Sequence, residues 1–232
     1  MMKSYWTATE LCKLFRIVKT PNALYYDSEQ GNIPAAQMRQ RGAIAARMWG
    51  SKDLPLIGAR YGFIDQSNFP RGKTRIIVVY IPKGGSLKTT FTYNLARILA
   101  LHGIKTLCVG LETQKSLTTL LHPHVTIESV DEIMGLPGLY EVNFNNQSID
   151  SVIRHTDIST LDFVPENAKL HDLEDLMNTI YLREDFLSRT LAPVMSQYQA
   201  IVIDTSSYFT WLVKSALRFA TDVIFPVACN AQ

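Results

Sequence analysis

The sequence predicts an α/β protein in which a parallel sheet, covered by helices on both faces, follows a small and mostly helical N-terminal unit. Three observations carry that prediction. From residue 75 onward, apolar runs of strand length alternate with stretches of helical periodicity. A Gly-Gly loop flanked by lysines joins the first of those runs to the first of those helices. Charge is divided unevenly: residues 1–75 carry 12 Lys and Arg against 5 Asp and Glu, and residues 76–232 carry 11 against 16. The first third, at +7, has the charge of a nucleic-acid-facing module, and the remainder, at −5, does not.

With 232 residues, 47% of them hydrophobic, the chain can bury a core in one large or two modest domains. The expected division is residues 1–64, a polar linker with Pro and Gly over 65–74, and residues 75–232. No apolar run has the length of a membrane span, and the N-terminus lacks a signal-peptide core, so a cytoplasmic protein with no membrane partner is expected. Cys12, Cys108 and Cys229 lie far apart, form no CxxC motif, and read as small apolar residues in a reducing compartment. The histidines show no metal spacing. No Gly-x-Ser-x-Gly segment and no triad stands out.

In the N-terminal third, Thr7-Ala8-Thr9-Glu10 has the form of a capping box, and Leu11, Leu14 and Phe15 follow as the apolar face of a first helix. Residues 16–19 make the turn. Thr20 as N-cap and Pro21 at the first helical position open a second helix, with Leu24 and Tyr25 inward and Gly31 ending the segment. Ile33-Pro34 leads into a basic stretch through Arg39, Arg41 and Arg47. Ser51 then caps a third helix bearing Leu54, Leu56 and Ile57. Helix, turn, helix, basic wing and helix, over residues 5–62, resembles the DNA-binding domain of MerR-type regulators. Residues 25–34 look like that family's second helix running into its wing. The resemblance implies a winged helix-turn-helix domain with Thr20, Asn22, Tyr26, Arg39, Arg41 and Arg47 on duplex DNA. The alternative is a helical subdomain that packs on the second unit or dimerises, its arginines merely solvated.

The second unit opens with Ile76-Ile77-Val78-Val79-Tyr80-Ile81-Pro82, an unbroken apolar run suited to a strand buried on both faces. The loop Lys83-Gly84-Gly85-Ser86-Leu87-Lys88-Thr89-Thr90 follows. After it, Leu95, Ile98, Leu99 and His102 recur at helical spacing, with Gly103 as C-cap. Glycines admit backbone N–H groups to phosphate oxygens, and the helix N-terminus adds the positive end of its dipole. Residues Lys83, Gly84, Gly85, Ser86, Leu87, Lys88, Thr89 and Thr90 are therefore the expected nucleotide-binding set. Lys88 falls where it meets the β- and γ-phosphates of ATP, and Thr89 where it ligates Mg²⁺. Leu87 stands where the common pattern has glycine, and Lys83 is an additional lysine at the front.

The segment Lys-Gly-Gly-x-x-Lys-Thr-Thr after a strand resembles the deviant Walker A motif of ParA/MinD-type ATPases, and the later segments agree with it. Lys105 to Val109 reads as a second strand. Gly110-Leu111-Glu112-Thr113-Gln114 then stands where that family usually has Asp-x-Asp-Pro-Gln. The family's second aspartate positions the attacking water. Glu112 keeps that carboxylate at one methylene greater length, and a displacement of ~1 Å can cost ~10²-fold in rate. Gly110 removes the first carboxylate, an acidic group near Mg²⁺. ATP binding is expected to survive and turnover to be slow.

Leu161 to Pro165 reads as a third strand, and Pro165-Glu166-Asn167 resembles the family's Pro-Ala/Ser-Asn strand end. An acidic helix with Leu173, Leu176, Met177 and Ile180 follows, then a helix over Phe186 to Tyr198. Tyr198 to Asp204 has the Walker B pattern, with Asp204 holding Mg²⁺ through a water, and Thr205-Ser206-Ser207 replaces the usual x-Pro-Pro. A helix from Trp211 and a strand over Val223 to Val227 complete the reading. Family chains normally continue past that strand, so the domain is expected to be incomplete at its C-terminus, either truncated or unusually short.

The resemblance implies a P-loop NTPase fold and an ATPase whose catalytic residues are Lys83, Lys88 and Glu112. It implies that ATP and Mg²⁺ close a homodimer in which Lys83 reaches the partner's nucleotide. It further implies ATP-dependent attachment to DNA, a ParB-like partner that stimulates hydrolysis, a nucleoid-associated location, and a role in plasmid or chromosome partition. Two other readings stay open: an ATP-sensing transcriptional regulator with little hydrolysis, and a MinD-like positioning ATPase.

Overall fold

The computed structural model describes residues 4–41, 44–85, 87–114, 116–122, 135–179 and 181–227. In the N-terminal unit the capping box forms. The Glu10 N–H donates to the Thr7 hydroxyl at 3.4 Å, and the Thr7 N–H donates to the Glu10 carboxylate at 2.9 Å. It joins β1 (Tyr5–Thr7) to α1 (Ala8–Leu14). Pro21 opens α2 (Pro21–Glu29), preceded by Thr20, which makes no side-chain cap bond, and Gly31 leaves the helix at φ +72°. The basic stretch forms a hairpin, β2 (Gln37–Arg41) and β3 (Ile44–Gly50), in an antiparallel sheet of order β1-β3-β2. A single tight turn over Ser51–Asp53 then leads into α3 (Leu54–Tyr61). That turn is capped by Asp53, whose carboxylate accepts from the Gly50 N–H at 2.8 Å, and not by Ser51 as expected.

Leu11, Phe15, Leu24, Trp49 and Ile57 fill the core of this unit. Trp49 donates its indole N–H to the Pro34 carbonyl at 2.7 Å, which satisfies the one polar atom of a side chain with no exposed surface. Asp27 on α2 accepts from the Tyr61 hydroxyl on α3, tying the two helices together.

The larger unit is built on β4 (Arg75–Val79), β5 (Thr106–Leu111), β6 (Arg154–His155), β7 (Leu161–Val164), β8 (Ala200–Thr205) and β9 (Asp222–Ile224). Their spatial order is β6-β7-β5-β8-β4-β9, parallel throughout except for the short edge strand β6, which runs antiparallel to β7 and was not expected. The described helices are α4 (Lys88–Leu101), α5 (Ser116–Leu121), α6 (Leu139–Phe144), α7 (Ile149–Val152), α8 (Leu170–Leu176), α9 (Phe186–Met195) and α10 (Trp211–Phe219). Strand alternation sorts the central residues into two cores. Leu107, Val109, Ile201 and Ile203 pack with α8, α9 and α10, while Cys108, Phe163, Ala200 and Val202 pack with α4 and α5. Each fully buried Val, Leu or Ile contributes about 1.5–3 kcal/mol, and both faces draw on it, so the strands read as continuous apolar runs.

Cys12 is half-buried and Cys108 fully buried; Cys229, like Ile180, lies outside the described residues. Among the described residues, no helix is long and apolar enough to cross a membrane.

The two units meet at the far end of α4. Leu101 packs against the N-terminal core. His102, only 2% exposed, stands edge-on to Phe15 and Phe63 and accepts from the Phe63 N–H at 3.2 Å through Nε2. Its Nδ1 lies 2.7 Å from the Ile98 carbonyl, which assigns the proton to that nitrogen. Burial holds the ring below its ordinary pKa, in keeping with a neutral tautomer. α3 crosses α4 closely enough that a Cβ at Gly58 would overlap the Leu101 carbonyl. Residues 65–69 lie along the same face. Phe69 is buried against α4, and Gln66 donates to the His102 carbonyl.

Candidate functional site

The loop after β4 opens onto a cavity of about 640 Å³ at the carboxyl ends of the parallel strands, where α/β folds hold their ligands. Pro82, Gly84, Gly85, Lys88, Thr89 and Thr90 form one wall, and Glu112, Gln114, Ser207 and Tyr208 face them. Gly85 takes φ +68°, a conformation that favours glycine, and gives the loop its turn. Leu87 also lies in the left-handed region, at φ 59°, immediately before α4. That geometry explains why the common pattern has glycine there, and Leu87 carries the strain as a largely exposed side chain.

Lys88 is 7% exposed, and its ammonium donates to the Ser207 hydroxyl at 2.7 Å and to the Lys83 carbonyl at 3.3 Å. The charge sits at the first turn of α4, inside the cavity wall. Lys83 is exposed and is not part of that wall. Ser86 lies outside the described residues.

Asp204, the next-to-last residue of β8, lies beside Gly110 of β5, with which it is in register. Its side chain has no exposed surface. Oδ1 accepts from the Thr92 hydroxyl at 3.1 Å, while Oδ2 is buried with no hydrogen-bond partner. Burial pushes the carboxyl up to about 6; the Thr89 and Thr92 hydroxyls oppose that, and the Glu112 charge adds to it. An unpartnered buried carboxylate oxygen next to a threonine hydroxyl is a hard-oxygen donor set. It fits Mg²⁺, which is typically held by one or two carboxylates with phosphate oxygens and water. Among the described residues no group of three or more His, Cys, Asp or Glu is arranged to hold a metal, so Thr89 and Asp204 suit an ion that arrives with a phosphate ligand.

Glu112 is half-buried at the end of β5; burial raises its carboxyl and the Lys88 charge opposes that rise. Two residues go beyond the sequence reading. Ser207, expected only as a departure from proline, receives the Lys88 ammonium. The Thr205 hydroxyl donates to the Val79 carbonyl at 2.7 Å and Ser206 to the Tyr208 carbonyl at 3.1 Å, so hydroxyl bonds tie down this loop. Glu166, expected only as part of the Pro-Glu-Asn strand end that leads into an acidic helix, is fully buried behind Gly110 and Glu112. The signal for it was a pair of departures, a glycine where a carboxylate is usual and a glutamate where a small residue is usual.

The six expected DNA contacts do not converge on one surface. Thr20, Asn22 and Tyr26 are exposed on α2 and just before it. Arg47 joins them from β3: it pairs with Glu29 at 2.6 Å and lies 4.5 Å over the Tyr25 ring. Arg39 points from the other face of the hairpin and lies 4.5 Å over Tyr5, because residues paired one step apart in a strand alternate between faces. Only the backbone of Arg41 is described, within β2.

Residues 74–232 match the AAA domain family. The sporulation initiation inhibitor protein Soj of Bacillus subtilis is 31% identical over 157 residues, covering 67% of this chain and 59% of Soj. Among solved structures, a cobyrinic acid a,c-diamide synthase of Mycobacterium smegmatis with bound ATP analog and magnesium aligns with a TM-score of 0.60 and 28% identity, over 68% of this chain and 60% of that one. A plasmid partition protein of Borrelia burgdorferi aligns with a TM-score of 0.59 and 28% identity, over 68% and 67%. The chain spans about half the length of the curated relatives it matches.

Proposed function

This chain belongs to the AAA domain family, and we propose that it is a ParA-like P-loop ATPase that works in plasmid or chromosome partition as an ATP-dependent dimer switch binding DNA and a ParB-like partner. The observation that carries the reading is the convergence of Lys88, Thr89 and the unpartnered Asp204 oxygen at the start of α4. The likeness to Soj and to a plasmid partition protein supports the biological role.

In this reading the loop from Lys83 to Thr90 takes the triphosphate of ATP, Lys88 supplies the charge, and α4 adds its N-terminal dipole. Thr89 and Asp204 would hold Mg²⁺, which neutralises phosphate charge when bound. Glu112 orients water from the opposite wall. Lys83, exposed outside the wall, serves the nucleotide of a second copy. Lys83→Ala is then expected to keep MgATP affinity within about threefold of wild type while losing nucleotide-dependent dimers, since one side chain can be removed from a shared site without emptying the pocket beneath it. Sedimentation with and without MgATP measures this. A variant that still dimerises on nucleotide would remove Lys83 from the shared site.

The N-terminal unit is read as a winged helix-turn-helix that presents α2 and the β2–β3 hairpin to duplex DNA. Its charge, its exposed Asn22 and Tyr26 one turn apart, and Arg47 beside them support this. Each phosphate-contacting arginine contributes about one unit to the slope of log affinity against log salt. Arg47→Ala is expected to lower that slope by about one unit in mobility-shift titrations of the full chain, and Arg39→Ala, on the other face of the hairpin, to leave it unchanged. Slopes unchanged in both variants would favour a packing role for the unit.

A further inference from the structure

We propose that Glu166 is a positioning residue for ATP hydrolysis: from the end of β7 it fills the side-chain space left by Gly110 on β5 and holds the Glu112 backbone against the nucleotide cavity. The inference rests on the ATPase reading above and assigns a residue that the reading does not use.

The space is specific. A Cβ built on Gly110 would collide with the Glu166 side chain, and the three nearest atoms are its Cγ, Cδ and Oε1. Position 110 is therefore glycine because Glu166 already occupies the volume that any other side chain there would need. Gly110 is in register with Asp204 on the neighbouring strand, so this volume adjoins the proposed Mg²⁺ ligand.

The hydrogen bonds are equally directed. Oε1 accepts from the Glu112 N–H at 3.3 Å, at the strand end from which the Glu112 side chain enters the cavity. Oε2 accepts from the Thr118 N–H at 3.1 Å and from the Thr118 hydroxyl at 3.3 Å, and that hydroxyl in turn accepts from the Glu166 N–H at 2.7 Å. One buried side chain thus ties the start of α5, the end of β7 and the Glu112 backbone to each other. The Glu112 side chain projects from the residue that directly follows the strand ending at Leu111, and the Glu166 bond holds its backbone there. Angstrom-scale displacement of such a group is enough to cost ~10²-fold in rate.

Burial also pushes the Glu166 carboxyl up to about 8, with Asp204 adding repulsion and the Thr118 and Glu112 N–H groups opposing. The carboxyl works here through its shape and its two acceptor oxygens; an amide keeps the shape and one acceptor oxygen, enough for the Glu112 N–H.

The test uses the full chain as wild type, Glu166→Ala, Glu166→Gln, Gly110→Asp and the double variant Gly110→Asp with Glu166→Ala. In the nucleotide-free protein, Gly110→Asp alone is expected to lower the unfolding midpoint by several degrees, about what an overpacked core residue does. The double variant is expected to recover most of that loss, because truncating Glu166 vacates the colliding atoms. In steady-state ATPase assays, with active sites counted by nucleotide binding, Glu166→Ala is expected to lower kcat by about tenfold or more with KM changed less than about threefold. Glu166→Gln is expected to stay within about threefold of wild type in both. Additive midpoint shifts in the Gly110/Glu166 cycle would overturn the proposal, as would a per-site kcat for Glu166→Ala equal to wild type. Failure of the ATPase reading is separate: it would appear as absent MgATP binding by the wild type and would leave the nucleotide-free cycle unchanged.

Discussion

Lys88→Ala is expected to weaken MgATP binding by about two orders of magnitude or more and to abolish turnover. The ammonium is almost fully buried at the first turn of α4 and is held by Ser207 and the Lys83 carbonyl, so it is already placed in the cavity wall before any phosphate enters. A charge-assisted hydrogen bond in such a site is worth about 1.5–3 kcal/mol, and one tenfold step in affinity is about 1.4 kcal/mol. The ammonium also offsets the charge of Glu112 and Asp204, whose mutual repulsion alanine would leave uncompensated. Lys88→Met, closer in volume, separates loss of charge from loss of packing. Isothermal titration of both variants measures the effect, and an unchanged dissociation constant in the methionine variant would sink the nucleotide assignment of the loop.

The second large effect runs in opposite directions for stability and function. Asp204→Asn is expected to raise the stability of the nucleotide-free protein at pH 8 by about 1–3 kcal/mol and to remove the Mg²⁺ dependence of ATP binding. The Asp204 carboxyl titrates at about 6 in the folded chain, above its unfolded value. A raised carboxyl favours the folded state fully at pH below its unfolded pKa, and that contribution is lost as pH rises through the folded value. Two pKa units correspond to about 2.7 kcal/mol. The cost is therefore complete above about pH 6, and near pH 4 the variant and wild type converge. Part of the gain is returned by the amide, whose N–H groups meet the place where Oδ2 has no partner. Thermal unfolding across pH 4–8 without Mg²⁺ or nucleotide measures the first half, and ATP titration with and without Mg²⁺ the second. A variant less stable than wild type at pH 8 would contradict a desolvated, unpartnered carboxylate.

These two effects reflect one design. The site holds strain in the folded chain, electrostatic in a buried lysine and a carboxylate lacking one partner, and conformational in Leu87 with its left-handed backbone. Each is a local liability unless a ligand of high negative charge and its cation arrive. The mass-action gain from such binding stabilises the folded chain in proportion to the logarithm of ligand concentration.

The sequence by itself determined the strands, the loop and the order of the motifs, because local rules decide them. Runs buried on both faces must be apolar throughout, helices must show their period, and a loop that approaches phosphate must spare side-chain volume. Thr7 with Glu10, Pro21, Gly31 and Gly103 marked the helix ends for the same reason. The first turn of α4 and the end of β8 brought Lys88, Thr89 and Asp204 together as their spacing along a parallel sheet implied.

What only the tertiary structure decided depends on which distant residues share a volume. The carboxylate absent at Gly110 reappears as Glu166, 56 positions away, because the ends of β5 and β7 are adjacent and a single side chain fits between them. Proline stiffness after Asp204 is replaced by hydroxyl bonds that need Val79 and Lys88 across the sheet. Arg39 and Arg47 separate onto two faces because hairpin register, which no single-strand pattern sets, assigns each its side. His102, which the sequence marks only as the last residue of a helical face, joins the two units because the far end of α4 lies where the N-terminal core has room for a neutral, enclosed ring.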